Sequence, residues 1–445
     1  MRQLRPEVVG LANGFLAGSW TLEGLAERGL EMLGVRPRWL APLVRRILAA
    51  FPDPPRNARD ALASFLAADE TLRRELARLP SPRNRTWLVD APRMAPTRFN
   101  VPFLNTWADL AKFCGLDASL LEWLSHRRGW TREREPRQLH YRYTWIPKRS
   151  GGFRLLAAPK PRLRGVQRRI LHGILDQVPT HGAAAAYRPG GSVQAFAAPH
   201  TGRAVVLKLD LEDFFASTRG SRVVGLFREL GYPDSVVAGL AGLCTHRVPA
   251  SVTRACPRSS AERAEDRWRS LHRLQDWNLP RGAPTSPALA NLCAFRLDLR
   301  LTAAATTIGA RCTRYADDLA FSWDEDVAAS LSGFIGLVEK IARDEGYAVR
   351  RSKTRVMRRS HRQVLAGTVV NDRVHVSRME RKRLEAILTN CVRHGPESQN
   401  RAALPNFEAH LRGRVGWVAQ LEPRHAMHLR ELLDRITWPT PGLVN

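Results

Sequence analysis

The chain is poor in the residue patterns that build metal-sulfur centres and disulfide frameworks. Its 445 residues include six cysteines, none in a Cys-x-x-Cys pair, and thirteen histidines without a His-Glu-x-x-His pair. These absences argue against a zinc finger and against a zinc protease. A chain of this length can bury a core without disulfides, so we expect reduced thiols and a cytoplasmic location.

Long apolar runs and acidic residues are also scarce. The sequence has no stretch of about 18 apolar residues, and no signal-type apolar core follows its first residues, so we expect no membrane partner. The 42 acidic residues are outnumbered by 70 lysines and arginines, which leaves a formal net charge of +28. Such a charge favours a nucleic-acid partner, because binding to phosphates relieves self-repulsion and releases counterions.

Two adjacent aspartates, Asp317 and Asp318, lie between strand-forming residues in the run from Cys312 to Ser322. This pattern predicts a β-hairpin with the acidic pair at its turn. Adjacent carboxylates repel each other, and a divalent cation such as Mg²⁺ would stabilise the pair. A solvated surface turn remains the alternative for this motif taken alone.

A second acidic position follows the apolar run 204–209, which predicts a buried strand that ends at Asp210. Two-metal phosphoryl transfer requires carboxylates from separate strands around two ions, and Asp210 with Asp317 meets that requirement. Five residues later, Phe215 could lie beneath the sugar of a nucleotide and clash with a 2′-hydroxyl. A role in the core is equally compatible with Phe215.

These motifs belong to an ordered series over about residues 100–395 that resembles a reverse transcriptase, and more narrowly the bacterial retron type. The series consists of the segments 146–161, 209–215, 279–291, 315–318 and 346–354. The resemblance implies an α+β fold of right-hand polymerase type, with fingers, palm and thumb, and two Mg²⁺ ions as cofactors. It implies an RNA-directed DNA polymerase, a nucleotidyltransferase, with Asp210, Asp317 and Asp318 as catalytic residues and Asp210, Leu211, Asp317 and Asp318 as metal ligands.

The same resemblance assigns nucleotide binding to Lys148, Arg154, Phe215, Gly282, Ala283 and Lys353. Lys148 and Arg154 flank a Ser-Gly-Gly turn, so both cations could fold over a triphosphate. Small residues and prolines around Gly282 permit the backbone to approach a base or sugar closely before a helix begins. Lys353 could protonate the leaving pyrophosphate, but its arginine neighbours favour a solvated basic patch.

Three domains are predicted: a helical N-terminal extension at 1–95, fingers and palm at 96–375, and a helical thumb at 376–445. Proline-rich stretches at 80–85 and 91–96 are typical of linkers. An amphipathic basic helix at 379–394 resembles a thumb that grips an RNA-DNA hybrid, with Arg381, Lys382 and Arg393 as RNA contacts. The charged segment 254–277 is predicted to be helical, and it either contacts nucleic acid or is simply solvated.

The retron pattern is imperfect. Phe196 stands where retron enzymes usually carry Asn in an Asn-Ala-x-x-His element, although Ala197 and His200 are retained. Leu365-Ala366-Gly367 replaces the usual Val-Thr-Gly, and Arg281 replaces a Gln. These departures weaken the expectation that a specific structured RNA is recognised. They leave all the expected catalytic residues in place.

The resemblance implies that dNTPs are polymerised on a structured noncoding RNA, that a 2′-hydroxyl of that RNA primes synthesis, and that the system defends against phage; an effector protein is left open. A diversity-generating, abortive-infection or group II intron-like enzyme is the alternative within the polymerases. A noncatalytic RNA-binding scaffold that keeps the fold is the alternative from another class.

Overall fold

A computed structural model describes residues 6–16, 20–35, 37–52, 58–78, 94–125, 139–148, 151–327 and 330–438. The predicted linker at 80–85, the first residues of the one at 91–96, and Ser150 of the Ser-Gly-Gly turn lie outside these ranges. The chain divides into two compact units. The first combines Met1–Thr180 with Asp213–Cys293, and the second combines His181–Glu212 with Ala294–Asn445.

The N-terminal part of the first unit is helical. Its helices are Pro6–Leu16, Leu22–Leu33, Leu40–Ala50, Ala58–Ala68 and Glu70–Arg78. Apolar residues recur at helical spacing, so that Leu43, Val44 and Ile47 of the third helix are fully buried. They join Leu11 and Phe15 in a hydrophobic cluster whose described members all come from this region. These helices therefore have a core of their own.

The remainder of the first unit contains a β-hairpin. Strands β1 (Tyr141–Pro147) and β2 (Phe153–Pro159) are antiparallel and pair Tyr141 with Pro159 at one end and Pro147 with Phe153 at the other. Gly151 and Gly152 have φ angles of 88° and 73°, a left-handed conformation that favours glycine at this turn. The other helices described in the first unit are Trp107–Cys114, Ala118–Leu124, Pro161–Gly173, Phe214–Ser217, Gly220–Glu229, Asp234–Cys244, Ala250–Arg254, Ala264–Gln275 and Ser286–Cys293.

The second unit is built on a four-stranded sheet. Its strands are β3 (Val205–Asp210), β4 (Arg311–Tyr315), β5 (Asp318–Trp323) and β6 (Arg355–Arg358), in the order β4-β5-β3-β6. The central strands β3 and β5 are almost entirely buried, as expected for apolar runs covered on both faces. The helices that precede and follow these strands are Val193–Ala197, Phe295–Thr306 and Leu331–Asp344.

Three short strands and three helices complete the second unit. Strands β7 (Val364–Leu365), β8 (Thr368–Val369) and β9 (His375–Val376) form an antiparallel sheet. The helices are Arg378–His394, Phe407–Leu421 and Pro423–Asp434, and they share a hydrophobic cluster that includes Leu388, Leu411 and Leu429. Within the described ranges, no helix combines the length and apolar character needed to cross a bilayer.

An arginine is fully buried inside the second unit. The Arg314 and Asp298 side chains are each only 1% exposed, and the Arg314 Nε and Nη2 atoms donate to the two Asp298 oxygens at 2.6 Å each. Arg314 Nη1 also donates to the carbonyl of Ala316 at 3.1 Å. Charges are tolerated inside a protein when they are paired and hydrogen-bonded. This pair ties the helix Phe295–Thr306 to the turn that follows β4.

Replacement of Asp298 by Asn should lower the free energy of unfolding by about 3–5 kcal/mol, because it leaves the Arg314 charge buried without a counter-charge. Chemical denaturation of the two proteins measures this difference. A double variant, Asp298→Leu with Arg314→Met, should recover most of the loss, since an apolar pair can replace a buried ion pair. Equal stability of the Asp298→Asn variant and the original protein would contradict the importance of this pair.

Candidate active site

Three aspartates lie at one end of the four-stranded sheet. Strands β3 and β5 are antiparallel, with Asp210 directly opposite Asp318. Ala316 and Asp317 form the two-residue turn between β4 and β5, and Ala316 has a φ angle of 57°. The amide of Leu211 donates to the carbonyl of Asp317 at 2.8 Å. The predicted hairpin and the predicted buried strand are both confirmed, and sheet pairing brings their acidic residues together.

Basic side chains surround these carboxylates. Lys353 Nζ lies 2.6 Å from Asp210 Oδ1, Arg350 Nε lies 3.8 Å from Asp210 Oδ2, and Lys208 Nζ lies 2.9 Å from Asp318 Oδ2. Burial raises the pKa of the Asp318 carboxyl above its usual range; Lys208 opposes this shift and the charge of Asp210 adds to it. Lys353 is thus engaged at the acidic end of the sheet, whereas the sequence favoured a solvated patch.

The donor set is chemically suited to a hard divalent cation. Carboxylate oxygens are the ligands that Mg²⁺ prefers, and the Lys353 ammonium already places a positive charge against Asp210. In the described part of the chain, however, no three His, Cys, Asp or Glu side chains stand together in a metal-binding arrangement. The carboxylates are therefore the right type of ligand for such a cation. An ion bound at Asp210 would compete with the Lys353 ammonium for the same carboxylate.

A separate pocket lies within the first unit. Its lining includes Lys148, Arg154, Asp213, Phe215 and Arg281. Lys148 and Arg154 come from the two ends of the β1–β2 turn, as the sequence predicted. Phe214 is buried in the core, whereas the half-buried Phe215 faces the pocket with the Arg281 guanidinium 5.8 Å from its ring centre. The aromatic pair therefore divides into one core residue and one pocket residue.

The segment that contains Gly282 and Ala283 packs closely against β2. The Ala157 amide donates to the carbonyl of Arg281 at 2.8 Å. Gly282 has a φ angle of 116°, and a Cβ atom there would lie 3.0 Å from Leu156 and 3.2 Å from the Ala157 carbonyl oxygen. Ala283 is buried, and a helix begins at Ser286. The backbone at Gly282 thus lies against the hairpin strand β2, and its predicted approach to a base or sugar stays a prediction.

Comparisons with known proteins agree with this geometry. A family model described as reverse transcriptase (RNA-dependent DNA polymerase) matches residues 146–383, more than half of the chain. The retron Mx65 reverse transcriptase of Myxococcus xanthus is 40% identical over 346 residues, which cover 78% of this chain and 74% of that protein. This chain belongs to the bacterial retron-type reverse transcriptases. It is an RNA-directed DNA polymerase with the palm, fingers and thumb fold of that family, whose members generally use divalent metal ions.

Two further retron relatives are more distant. The retron Mx162 reverse transcriptase of Myxococcus xanthus is 36% identical over 277 residues, which cover 60% of this chain and 54% of that protein. The retron Ec86 reverse transcriptase of Escherichia coli is 27% identical over 292 residues, which cover 64% of this chain and 78% of that protein.

Sequence reasoning did not single out Asp213 of this reverse transcriptase. Its backbone is left-handed, with φ 43° and ψ 45°, which is unusual for a residue other than glycine. Its carboxylate accepts from Ser270 Oγ at 2.8 Å and from Arg273 Nη1 at 3.3 Å, and Lys148 Nζ lies 4.0 Å away. The only sequence signal was an acid directly before the aromatic pair, and its partners lie 57 and 60 residues away.

His200 supports the hairpin that carries Asp317 and Asp318. Its ring nitrogens lie 2.7 Å from Ser322 Oγ and 2.7 Å from Thr313 Oγ1. Because Thr313 donates its hydroxyl hydrogen to the Phe196 carbonyl, it accepts from His200 Nε2, and His200 Nδ1 then accepts from Ser322. Burial, with Arg203 and Arg311 adding to it, lowers the pKa of His200 to about 3. The neutral ring therefore holds β4 and β5 together at neutral pH.

The three predicted RNA contacts differ in their surroundings. Arg381 is mostly buried, and its guanidinium lies 3.3 Å from Glu422, which also accepts the Val376 amide. Lys382 and Arg393 are exposed on the same helix. Arg381 therefore joins elements of the C-terminal bundle, whereas the charges of Lys382 and Arg393 face solvent.

Proposed function

We propose that this enzyme copies a structured noncoding RNA into single-stranded DNA, from a primer that is a 2′-hydroxyl of the same RNA, as part of a retron that defends against phage. The observation that carries the polymerase chemistry is the pairing of Asp210 with Asp318 beside the Asp317 turn. The retron names of the similar proteins support the retron assignment. The positive net charge supports an RNA partner and an RNA-DNA hybrid product.

Asp210, Asp317 and Asp318, with Leu211, would hold two Mg²⁺ ions. Bound there, the ions would lower the pKa of the attacking hydroxyl and stabilise charge on the leaving pyrophosphate. Lys208 and Arg350 limit the repulsion between the carboxylates.

The remaining groups would bind and orient the substrates. Lys148 and Arg154 would bind the triphosphate, and Arg is suited to two phosphate oxygens at once. Lys353, which donates to Asp210 in the structure, would protonate the leaving pyrophosphate. The backbone at Gly282 and Ala283 would approach the nucleotide. Lys382 and Arg393 would bind phosphates of the duplex, with Arg381 holding their helix in place.

The domain boundaries follow the same proposal. Residues 1–95 form a helical extension, residues 96–375 form fingers and palm, and residues 376–445 form the thumb. The separate hydrophobic clusters at the two ends of the chain support these divisions.

Replacement of Asp317 by Asn should lower the rate of dNTP incorporation by a factor of at least about 10³, because the transition state requires the carboxylate charges. RNA affinity should stay the same or rise slightly, since a repulsive charge is removed. Primer extension and filter binding measure the two effects. Asp324→Asn is the matched control, because Asp324 follows the opposite end of β5 and pairs with Arg203. Substantial synthesis by Asp317→Asn would contradict the two-metal assignment.

Replacement of Phe215 by Val should raise ribonucleotide incorporation relative to deoxyribonucleotide, because a smaller side chain leaves room for the 2′-hydroxyl. Arg281→Gln retains the ring and removes the guanidinium that lies over it, so it measures how far Arg281 orients the ring. Competition between GTP and dGTP in single-nucleotide extension gives the ratio. An unchanged ratio in Phe215→Val would mean that Phe215 serves packing alone.

Affinity for any RNA should fall steeply with salt, because many phosphates are neutralised on binding. A dedicated noncoding RNA should retain an advantage over other RNA at every salt concentration, supplied by shape and by contacts to unpaired bases. RNA encoded beside the gene is compared with a scrambled RNA of equal length across a salt series. Coincident lines for the two RNAs would argue for a generic polymerase without a dedicated RNA partner.

A further inference from the structure

The segment from His246 to Glu262 runs along the β1–β2 hairpin within the first unit. Tyr143 Oη lies 3.3 Å from His246 Nδ1, and Trp145 Nε1 donates to the Val252 carbonyl at 3.2 Å. Tyr143 and Trp145 lie on β1 of the hairpin, which ends at the turn between Lys148 and Arg154. The segment therefore accompanies β1 toward the turn.

At the turn itself, the segment lies directly against the two glycines. A Cβ atom on Gly152 would be 2.3 Å from Glu262 Oε1, and one on Gly151 would be 2.8 Å from the Ala261 Cβ. The Glu262 side chain is only 9% exposed. No residue with a side chain could occupy either glycine position without displacing this contact. The turn and Glu262 are thus fitted to each other.

Arg267 holds Glu262 and its loop in place. Its guanidinium donates to the Pro257 carbonyl at 2.6 Å and to the Cys256 carbonyl at 2.8 Å, and it lies 3.7 Å from Glu262 Oε2. These contacts close the loop 256–267 on itself. Because its donors are directed at these groups, Arg267 acts on the turn through Glu262.

The other end of the segment reaches Asp213. Ser270 and Arg273, on the helix Ala264–Gln275, donate to the Asp213 carboxylate, and Lys148 Nζ approaches the same carboxylate. Residues 256–273, here called the strap, therefore contact both the glycine turn and the acid beside Lys148. The strap therefore reaches Lys148 indirectly, through Asp213 on one side and through the two glycines of the turn on the other.

We propose that the strap positions the glycine turn and Lys148 for the triphosphate of the incoming nucleotide, with Glu262 and Arg267 as positioning residues. The proposal rests on the triphosphate role proposed above for Lys148. A turn with two glycines has many conformations when free, and each must be given up when a ligand binds. A contact that orders the turn beforehand increases nucleotide affinity and leaves the chemical step unchanged.

Glu262→Ala and Arg267→Ala should each raise the KM for dNTP about five- to tenfold and leave kcat within about twofold of the original value. Arg269→Ala is the matched control, because Arg269 lies on the same helix and forms ion pairs with the exposed Glu265 and Asp266. It should leave KM unchanged. Steady-state single-nucleotide extension gives both constants, and thermal unfolding reports folding. Glu262→Gln retains the side-chain volume and should raise KM in a protein of original stability.

The double variant Glu262→Ala with Arg267→Ala tests whether the two residues act together. Its KM should equal that of the weaker-binding single variant, because loss of either residue already releases the turn. Multiplied effects would overturn the shared mechanism. An unchanged KM in Glu262→Ala and Glu262→Gln, or a fall in kcat without a rise in KM, would overturn the strap itself.

Lys148→Ala separates this inference from the proposed function. If it raises KM while Glu262→Ala does not, the strap is wrong and the triphosphate role stands. If Lys148→Ala leaves KM unchanged, the triphosphate role is wrong and the strap has lost its basis. Absence of extension by the original protein with Mg²⁺, dNTPs and a primed RNA template would contradict the proposed function as a whole.

Discussion

Repulsion among the carboxylates at the end of the central sheet is the constraint around which the second unit is organised. Antiparallel pairing of β3 with β5 forces Asp210 and Asp318 to face each other, and the adjoining turn adds Asp317. Three nearby cationic side chains reduce the cost of this concentration of charge. Arg314 and His200 then hold the backbone that carries the acids. Local charge compensation and backbone support are thus separate tasks, performed by different residues.

The same division applies to the strongly positive composition. Some arginines are structural: Arg314 is buried with Asp298, and Arg381 is paired with Glu422. Other basic residues, such as Lys382 and Arg393, keep their charges in solvent. The net charge of +28 therefore describes the attraction to polyanions in total, but it does not say which side chains make the contacts.

Local patterns predicted local structure well. The β4–β5 hairpin and the buried strand that ends at Asp210 follow from apolar periodicity and turn residues, which act over a few neighbours. The affinity of Asp317 and Asp318 for a cation was likewise predicted from residues that are neighbours in sequence. Phe215 was ambiguous because one aromatic residue fits a core or a pocket, and only tertiary packing assigned Phe214 to the first and Phe215 to the second.

Partners far away in sequence could not be predicted. Lys353 looked like part of a basic patch because its neighbours are arginines, yet its partner Asp210 lies 143 residues earlier. Asp213, Glu262 and Arg267 gave no recognisable pattern, since their contacts depend on how a charged helix folds back on a hairpin. The order of the family motifs suggested the enzyme class. The ion pairs around the aspartates became visible only in the folded structure.

Strand β3 occupies an unusual place in the order of synthesis. It is an apolar strand inside the sheet, but both of its neighbours, β5 and β6, come much later in the chain. At about 5–20 residues per second, the ribosome needs several seconds to extend the chain from Asp210 to Trp323. During that time the nascent protein presents an unpaired apolar strand with two open edges, which is the kind of segment that aggregates or recruits chaperones. The arrangement that brings the acids together thus leaves β3 without its strand partners until late in synthesis.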